Sequence, residues 1–436
     1  MNIVEPKTLP GFMELSPDDQ ILFNKMKKII SETYEEYGFW PLDTPIIELS
    51  EVLLAKAGGE TEKQIYRFNK GENDLSLRFD LTVPLAKYVA QKYNELPFPF
   101  KRYQIGKVYR GERPQKGRFR EFYQCDIDVI GDEELSLQYD AEIPSIIYDI
   151  FKKMNIGDFI IRINNRKILN GFFNSLDLTD SYSEILRIID KIDKIGVNET
   201  KKYLKELINN DEKVEKILEF IKISGSTDEK IKQLKELNIK DEIYKSGVYE
   251  LEYVVNSMKK MGVSTNNYDI DLTIARGLDY YTGTVYETIL KEYPSIGSVC
   301  SGGRFDNLAG YYTDKKLPGV GISIGLTRLF YQLKEAQIIK NENNACAEVM
   351  ILPMDDANYE YVYKIASLLR NNNISVTTCY TSGKFKSKIK YANKCHVNYA
   401  IIIGENEVTN NVVTIKNMNS GLQELIEYDK IIEKII

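Results

Sequence analysis

Five cations crowd one short stretch of this chain: Arg110, Arg113, Lys116, Arg118 and Arg120, all within Tyr109-Arg-Gly-Glu-Arg-Pro-Gln-Lys-Gly-Arg-Phe-Arg120. Like charges this close need an anionic partner. Phosphate suits them best, because planar guanidinium groups fork onto phosphate oxygens. Glu112, Gln124, Asp126 and Asp128 flank the cations, and such groups could grip a small polar molecule beside the phosphate. Tyr103, Ile105 and Val108 precede the stretch, and Ile127, Val129 and Ile130 follow it, with strand-like alternation. The pattern predicts a hairpin: a strand, a basic loop carrying Pro114 and Gly117, then a returning strand.

Around this hairpin the chain reads in three parts. From Asp18 to Tyr37 apolar residues recur at helical spacing (Ile21, Leu22, Met26, Ile29, Ile30, Tyr34), with Ser16-Pro17-Asp18 as a start and Gly38 as a stop. Phe39-Trp40-Pro41 and Thr44 to Glu48 follow as extended segments. From about 179 to 262 helical periodicity takes over, with stripes at Ile185, Ile188, Ile189, Ile192 and Ile195, at Val214, Ile217, Leu218 and Ile221, and at Leu251, Val254, Val255 and Met258. This is a helical insertion between strand-rich regions, and read alone it could be merely a solubilising subdomain. After a polar linker, residues 341–436 alternate strand and helix: Glu348 to Pro353, Tyr359 to Asn371, Ser375 to Cys379, Phe385 to Lys394, Tyr399 to Gly404. Short links between such elements predict a small α/β domain with a mainly parallel sheet. Lys384, Lys386, Lys388, Lys390 and Lys394 fall on or beside its second helix, a pattern that a plain solvated face also produces.

Composition sets limits. A chain of 436 residues, 43% hydrophobic and 28% charged, describes a globular protein of two or three domains. No apolar run approaches membrane-spanning length, and the amino terminus has no basic segment followed by an apolar one, so no membrane and no signal peptide are expected. The five cysteines never form a Cys-x-x-Cys pair, which argues against a zinc site and for a reducing, cytoplasmic setting. The single histidine, His396, excludes His-metal clusters and Ser-His-Asp triads. A net charge of −6 gives no global attraction to nucleic acid, so any RNA must be held by local basic patches.

Tyr109-Arg-Gly-Glu-Arg-Pro, the basic loop and Phe122-Tyr-Gln124 together resemble the second signature motif of class II aminoacyl-tRNA synthetases. Arg276-Gly-Leu-Asp-Tyr-Tyr-Thr-Gly-Thr-Val-Tyr-Glu287 is similar to the histidine-specific signature of histidyl-tRNA synthetases, and Arg78-Phe-Asp-Leu-Thr-Val-Pro84 resembles that family's amino-acid-binding strand. Gly319-Val-Gly-Ile-Ser-Ile-Gly-Leu-Thr-Arg328 resembles the third class II motif. The resemblance runs from about Pro10 to the carboxyl terminus. It implies an α+β class II catalytic domain over 1–340, an antiparallel sheet of six or more strands flanked by helices, interrupted by the helical insertion. It also implies a carboxy-terminal α/β anticodon-binding domain over 341–436, and a homodimer joined through the first helix and the Pro45 region. In that family the insertion helps hold the tRNA acceptor arm.

The resemblance implies a reaction and its residues. ATP, accompanied by Mg2+ as its substrate complex, and L-histidine would give histidyl-adenylate, and the histidyl group would pass to the 3′ end of the histidine tRNA. No protein-bound metal or prosthetic group is implied. Arg276 and Arg110 would be the catalytic pair at the α-phosphate. Glu112 and Phe122 would place adenine, and Arg328 the triphosphate tail. Histidine would be held by Asp80, Leu81, Thr82, Arg110, Gln124, Asp128, Arg276, Tyr280 and Tyr281, the ammonium by Asp80, Thr82 and Gln124 and the imidazole by Asp128 and the tyrosines. Arg113, Lys116 and Arg118 would meet the tRNA acceptor end. The sequence departs from the family pattern at Phe305, where Tyr is common, and at Asp80 and Asp128, where many bacterial members use Glu. Other readings are a histidine-sensing paralogue without catalysis and a class II synthetase for another amino acid. The retained arginines and the final domain argue against the first, and the Arg276 to Tyr281 run against the second.

Overall fold

The computed structural model describes residues 3–55, 60–113, 117–189, 192–274, 281–307, 309–340, 345, 347–354, 359–381 and 383–436. The chain divides into two compact units, residues 1–14 with 26–339, and residues 15–25 with 340–436.

Helix α1 (Pro17–Glu36) forms where its spacing predicts. Pro17 suits the first helical position, Asp18 and Asp19 sit at the positive helix end, and Gly38, at φ +76°, turns the chain away. There follow β1 (Trp40–Pro41), β2 (Ile47–Leu49), two short helices α2 (Ser50–Leu54) and α3 (Glu60–Gln64), β3 (Arg67–Lys70) and β4 (Asn73–Leu77). Strands β2, β4 and β3 make a small antiparallel sheet. The segment expected to be an amino-acid-binding strand is instead a turn running into helix α4 (Thr82–Lys92). Asp80 explains the difference: its Oδ1 accepts the backbone N–H of Val83 at 3.0 Å and so caps the helix, while Pro84 falls in the first turn, where its missing N–H costs nothing.

The hairpin is present as read. Strands β5 (Phe100–Tyr109) and β6 (Glu121–Ile130) pair along their full length, with Arg102 opposite Asp128, Gln104 opposite Asp126 and Gly106 opposite Gln124. Next come α5 (Gln138–Met154), β7 (Phe159–Asn165) and α6 (Arg166–Ser175). The helical insertion follows as α7 (Tyr182–Ile189), α8 (Ile192–Ile208), α9 (Asp211–Ile221), α10 (Thr227–Glu236) and α11 (Glu242–Lys260). The chain returns through β8 (Tyr268–Ile270), β9 (Thr284–Leu290), β10 (Cys300–Phe305), β11 (Gly319–Ile324) and α12 (Leu326–Glu335). The result is an eight-stranded sheet, β1-β5-β6-β11-β10-β9-β7-β8. All its pairs are antiparallel except the two edge pairs, β1 with β5 and β7 with β8. Its other face is buried under helices: Tyr34 of α1, fully buried, donates its hydroxyl to the Cys125 carbonyl at 3.1 Å.

The second unit builds a five-stranded sheet from β12 (Val349–Pro353), β13 (Val376–Thr378), β14 (Tyr399–Ile403), β15 (Val412–Asn417) and β16 (Gln423–Glu427), ordered β13-β12-β14-β15-β16. Helices α13 (Tyr359–Asn371) and α14 (Phe385–Lys394) make the crossovers that keep β13, β12 and β14 parallel. The sheet is mixed rather than mainly parallel. After α15 (Glu405–Asn410), Asn411 at φ +54° reverses the chain into antiparallel β15, and a turn at Gly421 returns it as β16 before α16 (Ile431–Ile435).

Candidate active site

Side chains alternate across a strand, so Gln124, Asp126 and Asp128 of β6 share one face of the large sheet. Ser323 of β11 pairs with Asp126 on that face. The neighbouring position on β11 must be glycine: a Cβ on Gly321 would lie 2.1 Å from the Asp128 Oδ1. A cavity of about 490 Å3 opens above this floor. Asp80 and Thr82 reach it from the start of α4, Arg110 and Phe122 from the hairpin, and Glu112 and Arg118 from the basic loop. Glu287 enters from β9, Arg328 from α12, and Tyr281 completes the wall.

The cavity has two electrostatic ends. At one, Arg110 donates through Nε to the Phe79 carbonyl at 3.1 Å, and its guanidinium lies 5.1 Å over the Phe122 ring. Arg328 is anchored by donation to the Ile296 carbonyl at 2.9 Å, yet its buried Nε has no hydrogen-bond partner among the described residues. Burial and the nearby Arg118 pull its pKa below the usual arginine value. An anion entering here would meet both arginines and give Arg328 Nε an acceptor.

At the other end buried acceptors outnumber donors. Asp80 Oδ2, Gln124 Oε1 and Asp126 Oδ1 have no hydrogen-bond partner among the described residues. Asp128 Oδ2 lies 2.7 Å from Nη2 of the fully buried Arg102, an ion pair without hydrogen-bond geometry. Burial raises the pKa of all three carboxyls, against the pull of Arg102. Asp126, further raised by its carboxylate neighbours, is pushed up to about 7. Ser323 accepts from Gln124 Nε2 at 2.8 Å and lies opposite Asp126 in the strand pairing. Three carboxyls around one enclosed guanidinium leave a deficit of positive charge that a cationic ligand would fill.

Asp80, Thr82, Arg110, Glu112, Arg118, Phe122, Gln124, Tyr281 and Arg328, expected from sequence, line this cavity. Asp128 lines instead a small adjoining cavity of about 20 Å3, together with Phe305. The Leu81 side chain is fully buried, and its carbonyl accepts from Arg102 at 3.2 Å and from the Leu85 N–H at 3.3 Å. Arg113 is exposed outside the cavity. Arg276, Tyr280 and Lys116 lie outside the described residues. The sequence reading placed Asp126 among the polar groups flanking the hairpin but gave it no place in the histidine site, although it falls in phase with Gln124 and Asp128. Glu287 was likewise passed over. Among the described residues no cluster of His, Cys, Asp and Glu could hold a metal ion, and no helix is long and apolar enough to cross a membrane.

A largely antiparallel sheet with arginines on a long hairpin and on the helix after a glycine-rich strand is the architecture of the class II aminoacyl-tRNA synthetases. The family model for histidyl-tRNA synthetases matches residues 11–329, and that for the anticodon-binding domain matches 348–436. A histidine–tRNA ligase of Clostridium tetani is 59% identical over 100% of this chain and 99% of its own length, and one of Finegoldia magna is 48% identical over 99% and 100%. The crystal structure of the histidyl-tRNA synthetase from Nostoc sp. PCC 7120 superposes with a TM-score of 0.93 at 41% identity, covering 99% of each chain. The chain belongs to the histidyl-tRNA synthetase family, ATP-dependent ligases that charge tRNA with histidine.

Proposed function

We propose that the cavity binds ATP, as its Mg2+ complex, at the arginine end and L-histidine at the carboxylate end, with their reacting groups meeting at Arg110. The observation that carries this reading is the pairing, in one cavity, of Arg328 Nε, buried and unpartnered among the described residues, with orphaned buried acceptors. The histidine carboxylate, ionised at neutral pH without a general base, attacks the α-phosphorus. The bond from that phosphorus to the bridging oxygen breaks and pyrophosphate leaves. Arg110 and Arg276 offset the charge gathering on the α-phosphate, and Arg328 holds the tail; catalysis is then positional and electrostatic. Glu112 and Phe122 place adenine. Asp80, Thr82 and Gln124 take the ammonium, Leu81 backs them, and Asp128, Tyr280 and Tyr281 line the ring. In the second step the terminal ribose hydroxyl of the tRNA attacks the carbonyl carbon and AMP departs. Arg113, Lys116 and Arg118 guide the acceptor end, and residues 341–436 read the anticodon.

The protein acts as a cytoplasmic homodimer in this reading. Trp40, Ile46, Ile47, Leu49 and Phe68, all exposed, supply an apolar surface for the second copy beside α1 and Pro45. Separate calorimetric titrations test the two-ended site. Arg328→Ala should weaken ATP binding about tenfold or more and leave histidine binding alone, and Asp80→Ala should do the reverse. Equal loss of both ligands in both variants would contradict the division.

A further inference from the structure

Asp126 has a position that no other carboxylate shares. It borders the main cavity and also the small one beyond, with Thr82, Tyr281 and Ser323 as the other residues common to both. Asp80 reaches only the first and Asp128 only the second. The side chain is 3% exposed, and its Oδ1 has no partner among the described residues. Ser323, its partner across β6 and β11, is held by Gln124 at 2.8 Å. A buried acceptor left unsatisfied is costly unless a ligand supplies the donor.

The spacing says which donor. Gln124, Asp126 and Asp128 step along β6 by two residues, about 6.7 Å at a time. The far nitrogen of a histidine ring lies roughly 5 Å from the α-nitrogen by ordinary bond lengths. An ammonium seated between Asp80 and Gln124 therefore brings the ring to Asp126. Asp128, a further step along, is ion-paired with Arg102 at 2.7 Å and lines only the small cavity. We propose that Asp126, which borders both cavities beside Ser323, is a further specificity-determining residue of the histidine pocket and accepts an N–H of the substrate's imidazole. This rests on the reading of the carboxylate end as the histidine site. Burial pushes its carboxyl up, and an N–H donor would return it to the ionised form.

A ring without an N–H tests this. Histidine KM and the inhibition constant of thiazolylalanine are measured by pyrophosphate exchange in the parent, in the isosteric Asp126→Asn and in Ser323→Ala, with melting temperatures recorded for each. The parent should favour histidine strongly. Asp126→Asn should raise the histidine KM about tenfold or more, leave the thiazolylalanine constant and the ATP KM nearly unchanged, and so narrow the preference. Ser323→Ala should move it the same way by less, and it provides the reading if Asp126→Asn fails to fold. A preference unchanged in the folded variants, or equal weakening of both ligands, overturns the assignment and leaves Asp126 structural. Absence of histidine-dependent exchange in the parent would defeat the histidine site itself, a failure distinct from that of Asp126.

Discussion

Replacing Asp126 by Asn should stabilise the unliganded protein, increasingly so as the pH rises. Burial is the largest influence on this carboxyl; Arg102 opposes it, Asp128 adds to it, and the folded value stands at about 7 against 3.8 for a free side chain. A carboxyl raised in this way holds its proton more tightly folded than unfolded. Stability is therefore lost as pH climbs from about 4 to about 7, and the full cost of about 4 kcal/mol stands above that. Asparagine has no proton to lose. Between pH 5 and pH 8 the parent gives up about two of those three units, so the advantage of Asp126→Asn should grow by about 3 kcal/mol. Urea unfolding of both proteins without ligand, followed by far-ultraviolet circular dichroism at the two pH values, measures that growth directly. Groups common to both proteins largely cancel in the difference. A difference that stays flat, or shrinks toward pH 8, would refute the reasoning. A variant that is more stable yet weaker for histidine would be a stability cost retained for function.

Three further outcomes follow from the geometry and the motifs. Gly321→Ala places a methyl group 2.1 Å from Asp128 Oδ1 and 2.6 Å from the Ile127 carbonyl; it should cost about 1–3 kcal/mol and raise the histidine KM, and a variant with parental melting and KM would show the floor to be looser than described. Thr327→Val removes the acceptor of the Tyr123 backbone N–H, a 2.8 Å bond tying α12 to β6; it should cost about 1–3 kcal/mol and raise the KM for ATP through Arg328 while sparing histidine, and unchanged melting would contradict it. Arg276→Ala should depress adenylate formation far more than histidine binding, which single-turnover kinetics and calorimetry separate; near-intact activity would remove Arg276 from the catalytic pair.

The hairpin was legible because alternation and clustered charge coincide there, and both are local. The same holds for α1, with its proline start and glycine stop, and for the insertion stripes. The turn at Arg78 to Pro84 was expected as a strand only because the run resembles the family's amino-acid-binding strand. The capping carboxylate of Asp80 and the early proline were the better signals. Strands β15 and β16 went unread: the first is buried in a continuous run without alternation, and the second is largely exposed and carries little periodicity. At the site, the residue types along β6 were visible, but their division of labour was not. Whether Asp126 or Asp128 meets Arg102 depends on the register of β5 against β6, and whether either faces a cavity depends on β11 lying beside them. Those are long-range facts that no local pattern encodes. Phe305 was flagged only as a missing hydroxyl; it lines the small cavity beside Asp128.

Histidine-dependent exchange of pyrophosphate into ATP, on the purified full chain with the other amino acids as controls, tests the central claim most directly. The account expects exchange with histidine alone. A chain of this fold that does not catalyse would bind histidine and show none. No exchange, with histidine still binding by calorimetry, would contradict the adenylate chemistry and make the cavity a histidine sensor.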